Sequence, residues 1–131
     1  MKLTALIIIL CCSTIASAQS PGKFHHRAIL IDTHNDILSS GVLDGVDISH
    51  RTTVGHTDLD RLKEGGVDIQ FFSVWTGDKP RTANFYADAL QEIDSLNKLL
   101  LKNPSRMRLV LNYEDVKRTL REDKLAALIG V

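Results

Sequence analysis

Apolar residues in this chain fall into short strand-length blocks separated by amphipathic stretches, so a period of two alternates with a period of 3.6. Ala28 to Asp32 is apolar and β-branched and predicts a first strand. Thr57-Asp-Leu-Asp60 reads as a capping sequence for a short helix through Leu62 and Glu64, closed by Gly65-Gly66 at the left-handed position. Val67 to Trp75 predicts a second strand. A long helix follows, with Tyr86, Leu90, Ile93, Leu96 or Asn97, and Leu100 at helical spacing, and its stripe through Leu90, Ile93 and Leu100 is expected to be core. It ends at Asn103-Pro104, because the residue before a proline is driven out of the helical region. Met107 to Leu111 predicts a third strand. Asn112 caps a helix whose first turn carries Glu114 and Asp115, favourable against the helix dipole, with Val116 and Leu120 facing inward. Leu125 to Val131 predicts a fourth strand.

Strands alternating with helices predict an α/β fold with a parallel sheet and right-handed crossovers. The near-continuous apolar strands fit a sheet covered on both faces. Two architectures satisfy this, an open doubly wound sheet and a (β/α)8 barrel of which only part is present. The first strand is followed by no glycine-rich phosphate loop, which counts against the nucleotide-binding form of the open sheet. In a barrel, function sits where the strands end. His34 and Asp36 take that place on strand one, Ser73 and Trp75 on strand two, and Asn112 on strand three.

The beginning of the chain reads differently. Lys2 precedes an apolar run from Leu3 to Cys12 and a small-residue run from Ser13 to Ala18, in which Ala16-Ser17-Ala18 fits a signal-peptidase site. Residues 1–18 are therefore expected to be a signal peptide cleaved after Ala18, leaving residues 19–131 as the folded part and directing export to the periplasm or the extracellular space. The apolar run is shorter than the ~20 residues a membrane span needs, so no transmembrane segment is expected in the mature chain. Attachment as a lipoprotein through Cys11 or Cys12 is disfavoured, since bulky Ile8, Ile9 and Leu10 precede them where a lipobox carries small residues. Cleavage removes both cysteines, so the exported part has neither a disulfide nor a catalytic thiol and must rely on a packed core or a metal.

The 131 residues are 44% hydrophobic and 24% charged, and 16 basic groups balance 16 acidic ones. The lysines and arginines are scattered, which argues against a nucleic-acid or anionic-membrane surface. The chemistry concentrates in Ile31-Asp-Thr-His-Asn-Asp36. In an extended strand residues i and i+2 share a face, so the His34 imidazole and the Asp36 carboxylate converge, and zinc accepts both donor types. The competing reading is a strand end whose polar residues cap a turn. Asp32 divides the same way, between an acceptor that orients a ligand and a turn cap, and the cap is favoured. His25 and His26, adjacent on what reads as an extended segment, point apart and are expected to be solvated, as are His50 and His56 in a polar loop. Phe72 and Trp75 have opposite parity, so only one can form a wall of a site while the other packs in the core.

Ile31-Asp-Thr-His-Asn-Asp36, Leu62-Lys-Glu-Gly-Gly-Val-Asp-Ile-Gln-Phe-Phe-Ser-Val-Trp75 and Ala127-Leu-Ile-Gly-Val131 together resemble, in order and spacing, successive blocks of the membrane (renal) dipeptidase family of zinc metallopeptidases. The resemblance covers essentially the whole mature chain. It implies a (β/α)8 TIM barrel of the metal-dependent hydrolase type, of which strands 1 to 4 are present, and hydrolysis of dipeptides with two Zn2+ ions. Carried over by position, His34 and Asp36 are ligands of one zinc. The family pattern continues Ile-Gly-Val with Glu-Gly-Gly-His, whose glutamate bridges the metals, and later histidines complete the site. This chain is thus expected to be an N-terminal fragment, inactive alone, with no catalytic residue beyond its metal ligands and with its fourth strand an open edge. Thr33 stands where many members carry glycine, and Leu38-Ser39 replaces the Pro-Trp of animal members. Two other readings stay open: a metal-dependent amidohydrolase acting on another amide or a lactam, and an exported, non-catalytic binding remnant. A homodimer is also left open.

Overall fold

The computed structural model describes residues 20–131, so the expected leader with Cys11 and Cys12 lies outside the described residues. In chain order the elements are α1 (Pro21–His25), β1 (Leu30–Asn35), α2 (Ile37–Ser40), a 3-10 turn (Val42–Asp44), α3 (Leu59–Glu64), β2 (Val67–Ser73), α4 (Phe85–Lys102), β3 (Met107–Leu109), α5 (Tyr113–Arg121) and β4 (Leu125–Gly130). The fold is α/β with four parallel strands, as the alternation of periods predicts, and it is consistent with part of a barrel.

β1 begins later than expected because Ala28 N–H is still bonded to Phe24 O (3.2 Å) at the end of α1. Its first residue is instead fixed by the Asp68 carboxylate, which accepts Leu30 N–H at 2.8 Å. β3 is shorter than the sequence suggests, since Leu111 N–H turns to the Asp115 carboxylate (3.3 Å) and leaves the ladder.

The strands are ordered β1-β2-β4-β3. Moving from β1 to β2 and from β2 to β3 runs one way across the sheet, whereas β3 to β4 runs back. A right-handed crossover that reverses direction must lay its helix on the opposite face. That is observed: α3 and α4 bring Leu59, Leu62, Leu96 and Leu99 against Phe72, Leu125 and Ala127, while α5 brings Val116 and Leu120 against Ile69, Val110 and Ala126 on the other side. β4 is therefore not the open edge expected of it. Ala126 and Ala127 pair with β2 on one side and with β3 on the other, and past Ala127 the pairing of β4 is with β2.

The face α4 buries also differs from the predicted stripe. Of that stripe Leu96 is buried and Leu100 packs against the core, but Tyr86 and Leu90 are exposed, and the fully inward face is Asp88, Glu92, Leu96 and Leu99. Their spacing of four, four and three is as helical as the apolar series. Tertiary contacts chose between two stripes about one residue apart, and the chosen one places two carboxylates in the interior.

Several ends are closed as local chemistry dictates. Asn84 and Asn112 cap α4 and α5 by accepting Ala87 N–H (2.9 Å) and Asp115 N–H (3.0 Å). For α3 the cap is Asp58, one residue beyond Thr57: its Oδ1 accepts Arg61 N–H at 2.8 Å, its Oδ2 accepts Thr52 N–H at 3.2 Å, and the Arg61 guanidinium pairs with it. Of the glycine pair that ends α3, Gly66 is the left-handed one, at φ 72°.

Burial alone would raise the Asp58 pKa, but the N–H groups of Arg61 and Thr52 and the Arg61 charge outweigh it and hold the carboxyl below its ordinary 3.8. A depressed folded-state pKa gives stability that is present above the unfolded value and lost as pH falls through the folded one. Asp58→Ala should lower the unfolding free energy by about 2 kcal/mol at neutral pH, by loss of the cap and of its bonded partners. Asp58→Asn, which keeps an acceptor, should cost less. Urea melts of both variants at pH 7 and again below pH 3.8 are the check, the difference from wild type shrinking in acid.

Candidate metal centre

β1 and β2 do not keep step. Asp32 pairs with Gln70 and Asn35 with Phe72, so three steps along β1 match two along β2, and the extra residue makes a bulge at Thr33–His34. A bulge takes an N–H out of the ladder and re-aims a side chain. Here the His34 N–H is taken up by Asp32 Oδ1 (3.1 Å), and Asp32 Oδ2 lies 3.5 Å from Asn35 Nδ2. Asp32 is thus the turn cap that its sequence position favours, acting on the backbone of His34.

The chain then turns into α2 with Asp36 at the N-cap position. An aspartate there ordinarily accepts an N–H of the first helical turn. Asp36 makes no such bond, while Asn35 Oδ1 accepts the N–H of Ile37, the first helical residue, at 3.1 Å. The freed carboxylate turns to His34, and its Oδ1 stands 3.2 Å from His34 Nε2. That oxygen is buried and has no hydrogen-bond partner. Two donors on one tetrahedral zinc stand about 3.4 Å apart, given metal–donor distances of ~2.0–2.2 Å. The separation and donor types fit a shared metal ion, and a cation would satisfy the orphaned oxygen. Among the described residues no third His, Cys, Asp or Glu joins this pair.

The remaining rim residues are dispersed. Ser73 is buried, and Asn112 is occupied with its cap on α5, on a connection that lies beyond β4. Phe72 is the core member of the aromatic pair, fully buried, while Trp75 is exposed. His50 and His56 are exposed, as expected. His25 and His26 differ from expectation: they sit at the end of α1, not on an extended segment, with rings edge to face, and His25 Nε2 reaches Gly65 O at 2.8 Å. Both lie near the N-terminal ends of the strands, far along β1 from His34.

One neighbour of the pair escaped sequence reasoning. Glu92, 1% exposed on α4, accepts Trp75 N–H through Oε2 at 3.0 Å, and its Oε1 is buried without a partner. Burial pushes its pKa up, the Trp75 N–H opposes that, and the negative charges of Asp36 and Asp88 add to the rise. Glu92 therefore lies within electrostatic reach of Asp36. The only signal in the sequence is the alternative stripe Asp88, Glu92, Leu96, Leu99, which an apolar-only search passes over.

The chain matches the description "Membrane dipeptidase (Peptidase family M19)" over residues 19–131. It is 32% identical over 108 residues to Dipeptidase 3 of Rattus norvegicus, covering 78% of this chain and 21% of that protein. To Dipeptidase ataJ of Aspergillus terreus it is 28% identical over 120 residues, covering 80% of this chain and 29% of the relative. The chain thus spans less than a third of the length of these curated relatives. Among solved structures it resembles a metallo peptidase from Rhodobacter sphaeroides liganded with a phosphinate mimic of the dipeptide L-Ala-D-Ala, at a TM-score of 0.64 and 19% identity, over 77% of this chain and 37% of that one. It also resembles the probable dipeptidase PvdM from Pseudomonas aeruginosa, at a TM-score of 0.66 and 16% identity, over 82% of this chain and 29% of that one. The rim motif, the parallel sheet and the match across residues 19–131 lead to one conclusion: this chain belongs to the membrane dipeptidase family, peptidase family M19.

Proposed function

We propose that the complete gene product is an exported zinc dipeptidase in which His34 and Asp36 hold one of two metal ions. The observation that carries this reading is the Asp36 Oδ1 atom, buried, unpartnered and 3.2 Å from His34 Nε2. A buried carboxylate oxygen without a donor is costly, and a cation is the partner that this geometry best accepts. Membership of the family supports the substrate class, and the run Lys2 to Ala18 supports export.

When bound, zinc supplies Lewis acidity toward a peptide carbonyl and lowers the pKa of a water molecule. The residues of this chain prepare that chemistry. Asp36 contributes negative charge from a position released from helix capping. His34 must offer a neutral ring nitrogen, so protons compete with the metal and zinc affinity falls as the solution is acidified. Asp32 fixes the backbone from which the imidazole projects.

Three outcomes are expected. In the complete gene product, His34→Ala or Asp36→Ala should each lower the zinc content toward one ion per chain and abolish dipeptide hydrolysis, as read by elemental analysis and a ninhydrin assay. A variant that keeps both full zinc content and activity contradicts the assignment. Asp32→Ala should weaken zinc binding by about tenfold through a misplaced His34, and Asp32→Asn, which retains the acceptor, should recover most of it, as measured by competition with a chelating dye. Residues 19–131 alone should hydrolyse no dipeptide, because two ligands do not hold a binuclear site.

A further inference from the structure

We infer that Trp75 is a recognition surface for an apolar substrate side chain, held in place by two buried carboxylates of α4; this assignment rests on the dipeptidase reading. Single exposed hydrophobic residues are ordinary. Trp75 differs from them in how it is held. It is 56% exposed and stands two residues past the C-terminal end of β2, yet two contacts fix it and a third anchors the far end of its loop.

The first restraint is Glu92, whose Oε2 accepts the Trp75 N–H at 3.0 Å. The second is Gly77, at φ 70°, against which the indole lies: Cη2 and Cζ3 come within 3.7 and 3.8 Å of where a Cβ would sit. A side chain at this position would be strained by the backbone. The third is Asp88, one helical turn before Glu92. It accepts Arg81 N–H (2.7 Å), Thr82 N–H (2.9 Å) and the Thr82 hydroxyl, which closes the returning end of the loop. Arg81 then donates to Ser39 O (2.6 Å) and pairs with Asp44, tying the loop to the segment that follows Asp36.

Asp88 and Glu92 are 0% and 1% exposed. Carboxylates are an expensive way to fill a helix face that Leu96 and Leu99 continue, and what they accomplish is to fix both ends of one rim loop. The loop shares its rim with the metal pair, since Asn35 is in register with Phe72 and Arg81 of the loop binds Ser39, three residues past Asp36. Glu92 is a positioning residue and not a further ligand, because the described residues contain no third donor grouped with His34 and Asp36. A pre-ordered aromatic surface loses little freedom on binding and gains by covering an apolar group.

The test compares kcat and KM for Leu-Leu and Gly-Gly with the zinc-loaded complete gene product. Trp75→Ala should lower the ratio of kcat/KM for Leu-Leu over Gly-Gly by about tenfold, chiefly through KM, with zinc content unchanged. Trp75→Phe should keep most of the preference. Glu92→Leu should shift the ratio as Trp75→Ala does, and Glu92→Gln, which still offers an oxygen to the Trp75 N–H, should restore it. An active wild type whose ratio is the same in Trp75→Ala overturns the recognition role while leaving the dipeptidase reading intact. A wild type that hydrolyses neither dipeptide overturns both.

Discussion

Asp36 stands at the N-cap of α2 without binding a helix N–H, and much of the site follows from that uncommitted carboxylate. A helix N-terminus needs an acceptor for its free N–H groups, and the residue at the cap position would normally supply it. Asn35 accepts the N–H of Ile37, and Asp36 keeps its carboxylate beside His34. The preceding bulge contributes in the same way: Asp32 takes the His34 N–H that the ladder gives up, so the imidazole is re-aimed without a stranded backbone donor. Asp32 and Asn35 serve the backbone, which leaves His34 and Asp36 free to serve a ligand.

The sheet fixes where this motif stands. β1, β2 and β4 run side by side in parallel, as neighbouring strands of a barrel wall do, and β3 is added outside β4 against its first residues. Because β3 to β4 runs backwards across the sheet, α5 covers the face opposite α3 and α4. Its apolar residues lie against Ile69, Val110 and Ala126, toward the N-terminal half of β4, and the C-terminal ends of β1 and β2 carry the polar rim.

On α4 the requirements of packing and of the rim meet. Leu96 and Leu99 serve the core, and Asp88 and Glu92, on the same face nearer the rim, hold a loop. One helix therefore changes its task along its length: its first turns bind backbone N–H groups of the loop, and its later turns exclude water. That division explains why its exposed side retains Tyr86 and Leu90, residues that hydrophobic periodicity alone would place inside.

Sequence alone determined the four strands, their alternation with α3, α4 and α5, the cap at Asn112 for α5, and the pairing of His34 with Asp36, since each depends on neighbours within a few residues. The hydrophobic period, the proline after Asn103 and the closeness of His34 and Asp36 in the chain act locally, and local chemistry decided them. Tertiary structure decided the strand order, the face that α5 covers, and the inward turn of Asp88 and Glu92. Each of these depends on which distant segment arrives to pair or cover: β4 against β2, the loop after β2 against α4, Phe72 against Asn35. Two helical stripes of similar quality, or two possible neighbours for a strand, differ only in contacts made across tens of residues, and those contacts exist only once the chain has folded.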